Sequence, residues 1–398
     1  MAMKQAAKIR FGGKLSRENS VAGIVLSLLF ALGFFLSIFP QGRAIARTAL
    51  LLPAFINAAE PAPLKLLGEP VSHTQRTIGS SNGPVYLDIY APVSPAPIIG
   101  GIRQGLVVIP GVGDERKEQQ LINFSQALAQ TGVVVMSMTT PTLIQYALSP
   151  KDSDAVVQAF NTLARWPGVN AGHIGLIGFS GGGALACLAA ADPRIRDRVA
   201  SITLFGSYYN TASLLHDLGR RTLDVNGQLQ PWQPQEVSIE VMTNTIAGQL
   251  SNFDSSLLIG SLDPGGTPLT PSEQEELSPS ALAAYHLLAG DEPDNVDANI
   301  ASLTPQIDAL LTALSPDRVI THIHAPIYLL HDRNDQFVPF TQSRAFDQAL
   351  TQLHHPHDFA ELGIFQHVEV RPDLAFTQEF SDGASLARII TEMLLANS

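Results

Sequence analysis

One pentapeptide, Gly178-Phe179-Ser180-Gly181-Gly182, limits what this chain can fold into more than any other segment. An apolar run suited to a buried strand, Ile174-Gly175-Leu176-Ile177, precedes it, and a small-residue helix, Gly182–Ala191, follows. Passing from strand to helix so abruptly demands a sharp turn. Side chains at positions 178 and 182 would collide across that turn, so glycine stands on both sides of Ser180. The turn exposes the Ser180 hydroxyl at the carboxyl edge of the sheet. It also places it near a helix N-terminus, where the dipole and free N–H groups favour a developing anion. The bare G-x-S-x-G pattern is weak, but a strand before it and a helix after it make it strong.

On both sides of this elbow, short β-rich runs alternate with helical spacing. Val85–Tyr90 alternates like a strand open on one face, whereas Leu106–Ile109 and Val133–Met138 are continuous apolar runs, as expected of strands buried on both faces. Glu118–Gln130 and Asp154–Leu163 carry apolar residues at helical spacing, and Ser201–Phe205 is a further strand. The alternation predicts a mostly parallel sheet covered by helices. It stops over residues 207–322, where helical pieces at Thr243–Leu250, Ser280–Leu288 and Asn299–Leu314 are punctuated by proline and glycine. It resumes with a strand at Ile327–Leu330, a helix at Thr341–Leu353, a strand near Phe359–Leu362 and a helix at Ser385–Ala396. A long block between two sheet strands reads as a cap or lid, because long connections in compact domains are usually functional.

The amino-terminal part has a different character. Val21–Phe39 is a run of 19 residues without a charge, close to the ~20 that a helix needs to cross a bilayer. Five basic residues precede it, and Arg43 and Arg47 follow, which puts the N-terminus in the cytoplasm and the body outside. Two readings stand: an uncleaved signal anchor, or a signal peptide cut at Ala44-Ile45-Ala46. Ala49–Ala59 is apolar but too short to span, and reads as a membrane-surface or linker segment. The expected organisation is therefore a basic tail over 1–20, a membrane segment over 21–39, a linker over 40–82 rich in turn residues, and a body over 83–398 interrupted by the cap at 207–322.

Beyond residue 47 the chain carries 17 basic against 35 acidic residues, which argues against nucleic-acid binding. Hydrophobic residues make up 45%, enough for a sizeable core and too many for a disordered chain. The single cysteine, Cys187, rules out an internal disulfide and any multi-cysteine metal site and reads as buried packing. His322-x-His324 and His354-His355-Pro356-His357 lack the partners of a metal motif. Asp114-Glu115-Arg116-Lys117 reads as a solvated helix start or as a contact for a polar substrate group.

With its elbow and alternation, the chain resembles the α/β-hydrolase superfamily over residues 83–206 and 323–398. It is most similar to esterases of the dienelactone-hydrolase and prolyl-oligopeptidase-like branches. The resemblance implies an α/β-hydrolase fold: a mostly parallel eight-stranded sheet flanked by helices, here with a helical cap and an N-terminal transmembrane helix. It also implies a Ser–Asp–His triad in that chain order. Ile327–Pro339 is similar to the family's acid loop, commonly HGxxDxxVP, which maps the acid onto Asp335. Asp332 stands where glycine is usual and is the runner-up. Phe359–His367 resembles the last strand and histidine loop, making His367 the general base, with Gln366 where the family often has glycine. His354, His355 and His357 precede that strand, at the wrong edge of the sheet. Gly181 and, by the family's position, Val112 in Pro110-Gly111-Val112-Gly113 would donate backbone N–H groups to the oxyanion. The HGGG form is absent, which argues against the hormone-sensitive-lipase-like branch.

The implied chemistry is attack of Ser180 on a carboxylic ester, with proton transfer to His367, whose tautomer Asp335 fixes, and hydrolysis of the acyl-enzyme. It needs no metal or cofactor, and the partner is a small acyl substrate. The same triad serves peptidases and acyltransferases, and a non-catalytic binding module is the alternative from another class.

Overall fold

A computed structural model describes residues 17–56, 62–94, 103–363, 365–366, 369–370 and 376–397. Most of the basic tail, and His367, lie outside the described residues. Ten strands are labelled in chain order: β1 Val71–Ser80, β2 Gly83–Pro92, β3 Arg103–Ile109, β4 Val134–Thr139, β5 Val169–Phe179, β6 Val199–Phe205, β7 Thr222–Val225, β8 Gln228–Pro231, β9 Ile327–Asp332 and β10 His357–Leu362.

Eight of them form one sheet in the order β1-β2-β4-β3-β5-β6-β9-β10. β2 runs antiparallel to both β1 and β4, and the remaining pairs are parallel. β3 and β4 are buried along their whole length. Alternate residues of β3 feed opposite sides: Val107 and Ile109 join one apolar cluster, Leu106 and Val108 the other. That period of two lets a continuous apolar run serve two helical layers at once. On one side lie the helices Asp152–Ala164 and Gly181–Ala190. On the other lie Gln119–Gln130 and the long C-terminal helix Phe376–Ala396.

The sheet begins earlier than the sequence predicts. β1 lies within the stretch 40–82 expected to be a linker, and pairs with β2 over its full length, from Val71 opposite Pro92 to Ser80 opposite Gly83. It is an edge strand with mostly exposed side chains, so its sequence carries no burial pattern. The same stretch contains the helix Pro40–Ile56, which is no free linker either. Its Ala44 and Leu51 are buried in the cluster that includes Leu386, Ile389, Ile390 and Met393 of the C-terminal helix. Thr391 Oγ1 donates to Thr48 Oγ1 at 2.9 Å, and Arg47 Nη1 donates to Gln104 Oε1 on β3 at 2.7 Å.

Val21–Phe39 falls largely on the helix Arg17–Ile38. Among the described residues no single helix is long and apolar enough to cross a membrane. Leu28–Ile38 and Pro40–Pro53 pass that test only together, bent by 95°. Glycine makes the bend: a Cβ on Gly42 would sit 2.1 Å from the Phe35 carbonyl oxygen. Arg43 Nη1 then donates to the Ile38 carbonyl at 2.6 Å, satisfying an acceptor left open at the helix end.

Between β6 and β9 the chain is largely helical, apart from the β7–β8 hairpin. The helix expected at Asn299–Leu314 is two, Val296–Ala301 and Pro305–Ala313, because Pro305 cannot continue the first and instead opens the second behind the Thr304 cap.

Candidate active site

Ser180 occupies the turn between β5 and the helix Gly181–Ala190. Its backbone has φ 50° and ψ −127°, a region that side chains avoid at a cost of about 1–3 kcal/mol. The surroundings enforce it. A Cβ on Gly182 would lie 2.2 Å from the Pro110 carbonyl oxygen and 2.4 Å from that of Ile109. One on Gly178 would lie 2.4 Å from Gly183 Cα. Any side chain at these positions would push the helix off β3. Phe179 points to the other side of the sheet, 6.0 Å from Phe205 between ring centres.

The loop after β3 reaches the serine. A Cβ on Gly111 would be 3.5 Å from Ser180 Cβ. Its backbone donors are not equivalent. Gly111 N–H donates to Glu115 Oε2 at 3.1 Å, and Gly113 N–H donates to the Leu143 carbonyl at 2.7 Å. Val112 N–H has no acceptor among the described residues, nor has Gly181 N–H, the first of its helix.

The two candidate acids at the end of β9 differ in what they hold. Asp332 Oδ1 accepts from Asn334 N at 2.8 Å, and its Oδ2 accepts from Phe365 N at 2.8 Å. Burial raises its carboxyl above the ordinary value, against the pull of these backbone donors. Asp332 therefore ties the acid loop to the segment two residues before position 367. Asp335 is fully buried, and its Oδ1 accepts from Phe337 N at 2.7 Å and Val338 N at 3.0 Å. Its Oδ2 lies 3.3 Å from His331 Nε2. His331, absent from the sequence-based site, donates from Nε2 to the Val338 carbonyl at 2.9 Å, and its Nδ1 is hydrogen-bonded to Ser343 Oγ at 2.7 Å. Phe365 packs its ring 5.2 Å from that of Phe205 at the end of β6. His357 opposes Ile327 at the amino ends of β10 and β9, the far edge from Ser180. Among the described residues no group of three histidine, cysteine or carboxylate side chains could hold a metal.

A cavity of about 300 Å³ joins these parts. Gly111, Val112, Ser180 and Gly181 line one end, together with Asp114, Glu115 and Glu118. The cap supplies an apolar wall from Leu214, Leu218, Val237, Val241 and Met242, and the acid loop adds Phe337 and Val338. Cap and body are tied where they meet: Ser238 Oγ donates to the Phe337 carbonyl at 2.8 Å, Trp232 Nε1 to the Asp335 carbonyl at 3.0 Å, and Leu148 N to Thr245 Oγ1 at 3.0 Å. The run Asp114–Lys117 is no uniformly solvated helix start. Lys117 is exposed, but the Arg116 side chain is only 11% exposed and Asp114 faces the cavity.

Asp217, on the cap helix between Leu214 and Leu218, is pushed up to about 7 by burial, opposed by a hydrogen bond from Gln342. Its folded value exceeds the ~3.9 of an unfolded aspartate, so the native state loses stability as pH rises from about 4 to about 7. Asp217→Asn removes the buried charge. It is expected to raise the melting temperature at pH 8, by up to about 4 kcal/mol of stability, and to have little effect near pH 4. Thermal melts at the two pH values check this; equal shifts at both would refute it.

The description "alpha/beta hydrolase fold" belongs to the family model that matches residues 168–368, just over half the chain, and the protein belongs to that family. The matched stretch contains the elbow, the acid loop and position 367. No curated protein matches the sequence. Among solved structures, dipeptidyl peptidase 4 of Porphyromonas gingivalis is 13% identical, with a TM-score of 0.47 over 83% of this chain and 37% of its own. A puromycin-hydrolyzing peptidase of Mycobacterium tuberculosis is 16% identical, with a TM-score of 0.48 over 84% of this chain and 41% of its own. The chain thus spans about two fifths of those two proteins. A 2,6-dihydroxy-pseudo-oxynicotine hydrolase is 14% identical, with a TM-score of 0.45 over 94% of this chain and 85% of its own.

Proposed function

We propose that the protein is a serine hydrolase that cleaves carboxylic esters of small acyl groups through an acyl-enzyme. Ser180 is the nucleophile, His367 the general base and Asp335 the group that orients it. The N–H groups of Val112 and Gly181 receive the oxyanion. One observation carries this reading: a strained serine at the head of a helix shares a cavity with a loop in which the N–H groups of Gly111 and Gly113 are taken up while that of Val112 is left without an acceptor among the described residues. Two backbone donors that converge on a developing oxyanion stabilise the tetrahedral state more than a planar carbonyl. The cavity's size and apolar wall suit a short acyl or alkyl group, and its charged lining residues are all carboxylates, which disfavours anionic acyl groups.

The test is covalent labelling by a fluorophosphonate, together with hydrolysis of p-nitrophenyl acetate, butyrate and monosuccinate and of aminoacyl p-nitroanilides. The reading expects labelling, and acetate and butyrate cleaved faster than either alternative. Faster anilide cleavage would make the protein a peptidase, and acyl transfer to added alcohols in preference to water an acyltransferase. No labelling and no turnover would leave a binding module.

We further propose that the apolar run Val21–Phe39 is an uncleaved anchor holding the body on the extracytoplasmic side. Support comes from the helix Pro40–Ile56: a cut after Ala46 would divide a helix whose Ala44 is buried and whose Arg47 is bonded to β3. Edman sequencing of the membrane fraction is expected to find Val21–Phe39 retained. A chain starting near Arg47 would overturn the anchor.

A further inference from the structure

Next to the loop Gly111–Asp114 lies an ion network that the proposed chemistry does not use. Its centre is Arg116, in the short turn Glu115–Lys117 that follows the loop. Nη1 donates to Asp88 Oδ2 at 2.6 Å, and Nε donates to Asp114 Oδ1 at 3.0 Å. Asp88 lies on β2 and is only 3% exposed, and its Oδ1 also accepts from His73 Nε2 at 2.6 Å and Gln75 Nε2 at 2.9 Å. The guanidinium stands 5.5 Å over the Tyr86 ring. One planar fork thus joins a fixed point on the sheet to the residue that closes the loop Gly111–Asp114.

We propose that Arg116 is a positioning residue for the oxyanion hole: its fork, held by buried Asp88, sets the loop at the height at which Val112 N–H meets the oxyanion. This rests on the proposed role of Val112. The neighbours of Val112 are held locally, Gly111 by Glu115 and Gly113 by Leu143. Those bonds fix the shape of the loop. The bond to Asp88, with the Tyr86 ring beneath the guanidinium, ties the turn after it to the sheet that also carries Ser180. The planar fork fixes both carboxylates in direction, whereas lysine, a point charge on a flexible stem, holds them without setting that geometry.

Arg116→Lys is therefore the informative variant, because it keeps the charge that buried Asp88 needs. A second variant, Arg116→Gln with Asp88→Asn, removes both charges and guards against simple unfolding. Each is compared with wild type for kcat and KM on p-nitrophenyl butyrate, for affinity toward butylboronic acid, which mimics the tetrahedral oxyanion, and for thermal melting. The expected result for Arg116→Lys is a loss of about 100-fold in kcat and an equal loss in boronate affinity, with KM unchanged. Wild-type kcat and boronate affinity in folded Arg116→Lys would overturn the proposal. So would losses that appear only in proportion to unfolded protein and vanish on cooling, since a purely structural role predicts that pattern. If Arg116→Lys does not fold, the double variant decides by the same criteria. A wild type that neither labels nor turns over would instead remove the hydrolase reading, and this proposal with it.

Discussion

Ser180→Ala is expected to abolish fluorophosphonate labelling and to lower kcat by about 10⁶-fold, leaving the melting temperature within a few degrees of wild type. Under the proposed mechanism the loss is large because the remaining partners act only through the hydroxyl. In that scheme, once it is gone, His367 would have no proton to take, and the two proposed oxyanion donors would stabilise no covalent intermediate. The fold is indifferent to the change. Alanine accepts the same strained backbone, and the Ser180 N–H still donates to the Phe205 carbonyl at 2.9 Å. Cys187 cannot substitute as nucleophile, since it is fully buried and desolvation pushes its thiol far above the ordinary value. Mass spectrometry of the labelled wild type reads the result directly. An adduct that persists in Ser180→Ala would place the reactive group elsewhere.

Gly182→Ala is expected to have the largest effect on stability. The added methyl would meet two backbone carbonyl oxygens, of Ile109 and Pro110, at 2.4 and 2.2 Å. A flexible side chain could swing away, but these atoms belong to the end of β3 and the start of the oxyanion loop. The helix must lift off the sheet, opening the cluster that contains Ala184, Leu185 and Val107. A loss of about 4 kcal/mol or more follows, seen as a fall in melting temperature on the order of 10 °C. A variant melting within about 2 °C of wild type would show that the elbow is looser than its geometry implies.

The parts of the site legible in the sequence are those that short-range sterics dictate. Glycines around Ser180 are required by contacts within a few residues and with the adjacent strand, so they leave a local signature. The apolar runs of β3 and β4 are equally direct, because burial on both faces leaves no room for polar residues. β1 left no such mark. An edge strand with exposed side chains is held by backbone pairing, and the turn residues around it looked like a linker. Asp88 misled in the opposite way. It falls in an alternating strand that reads as open on one face, yet His73 from β1 and Arg116 from beyond β3 bury it there.

The roles of the carboxylates show the same division. Asp332 and Asp335 stand three residues apart, and only the resemblance of their loop to the family's pattern separates them in the sequence. What distinguishes the carboxylates in the structure is their partners: Asp332 accepts from Phe365 N–H, contributed from 33 residues along the chain, whereas Asp335 accepts from its neighbours Phe337 and Val338. Chain order alone determined that a strand, a sharp turn and a helix would present Ser180, because those constraints act between neighbours. Only tertiary structure decided which backbone donors remain open beside it, which acid braces a loop, and that the helix Pro40–Ile56 packs on the body. Each of those outcomes depends on hydrogen bonds and buried surface contributed by segments far apart in sequence, and a linear pattern carries no record of which distant partner will come to rest against it.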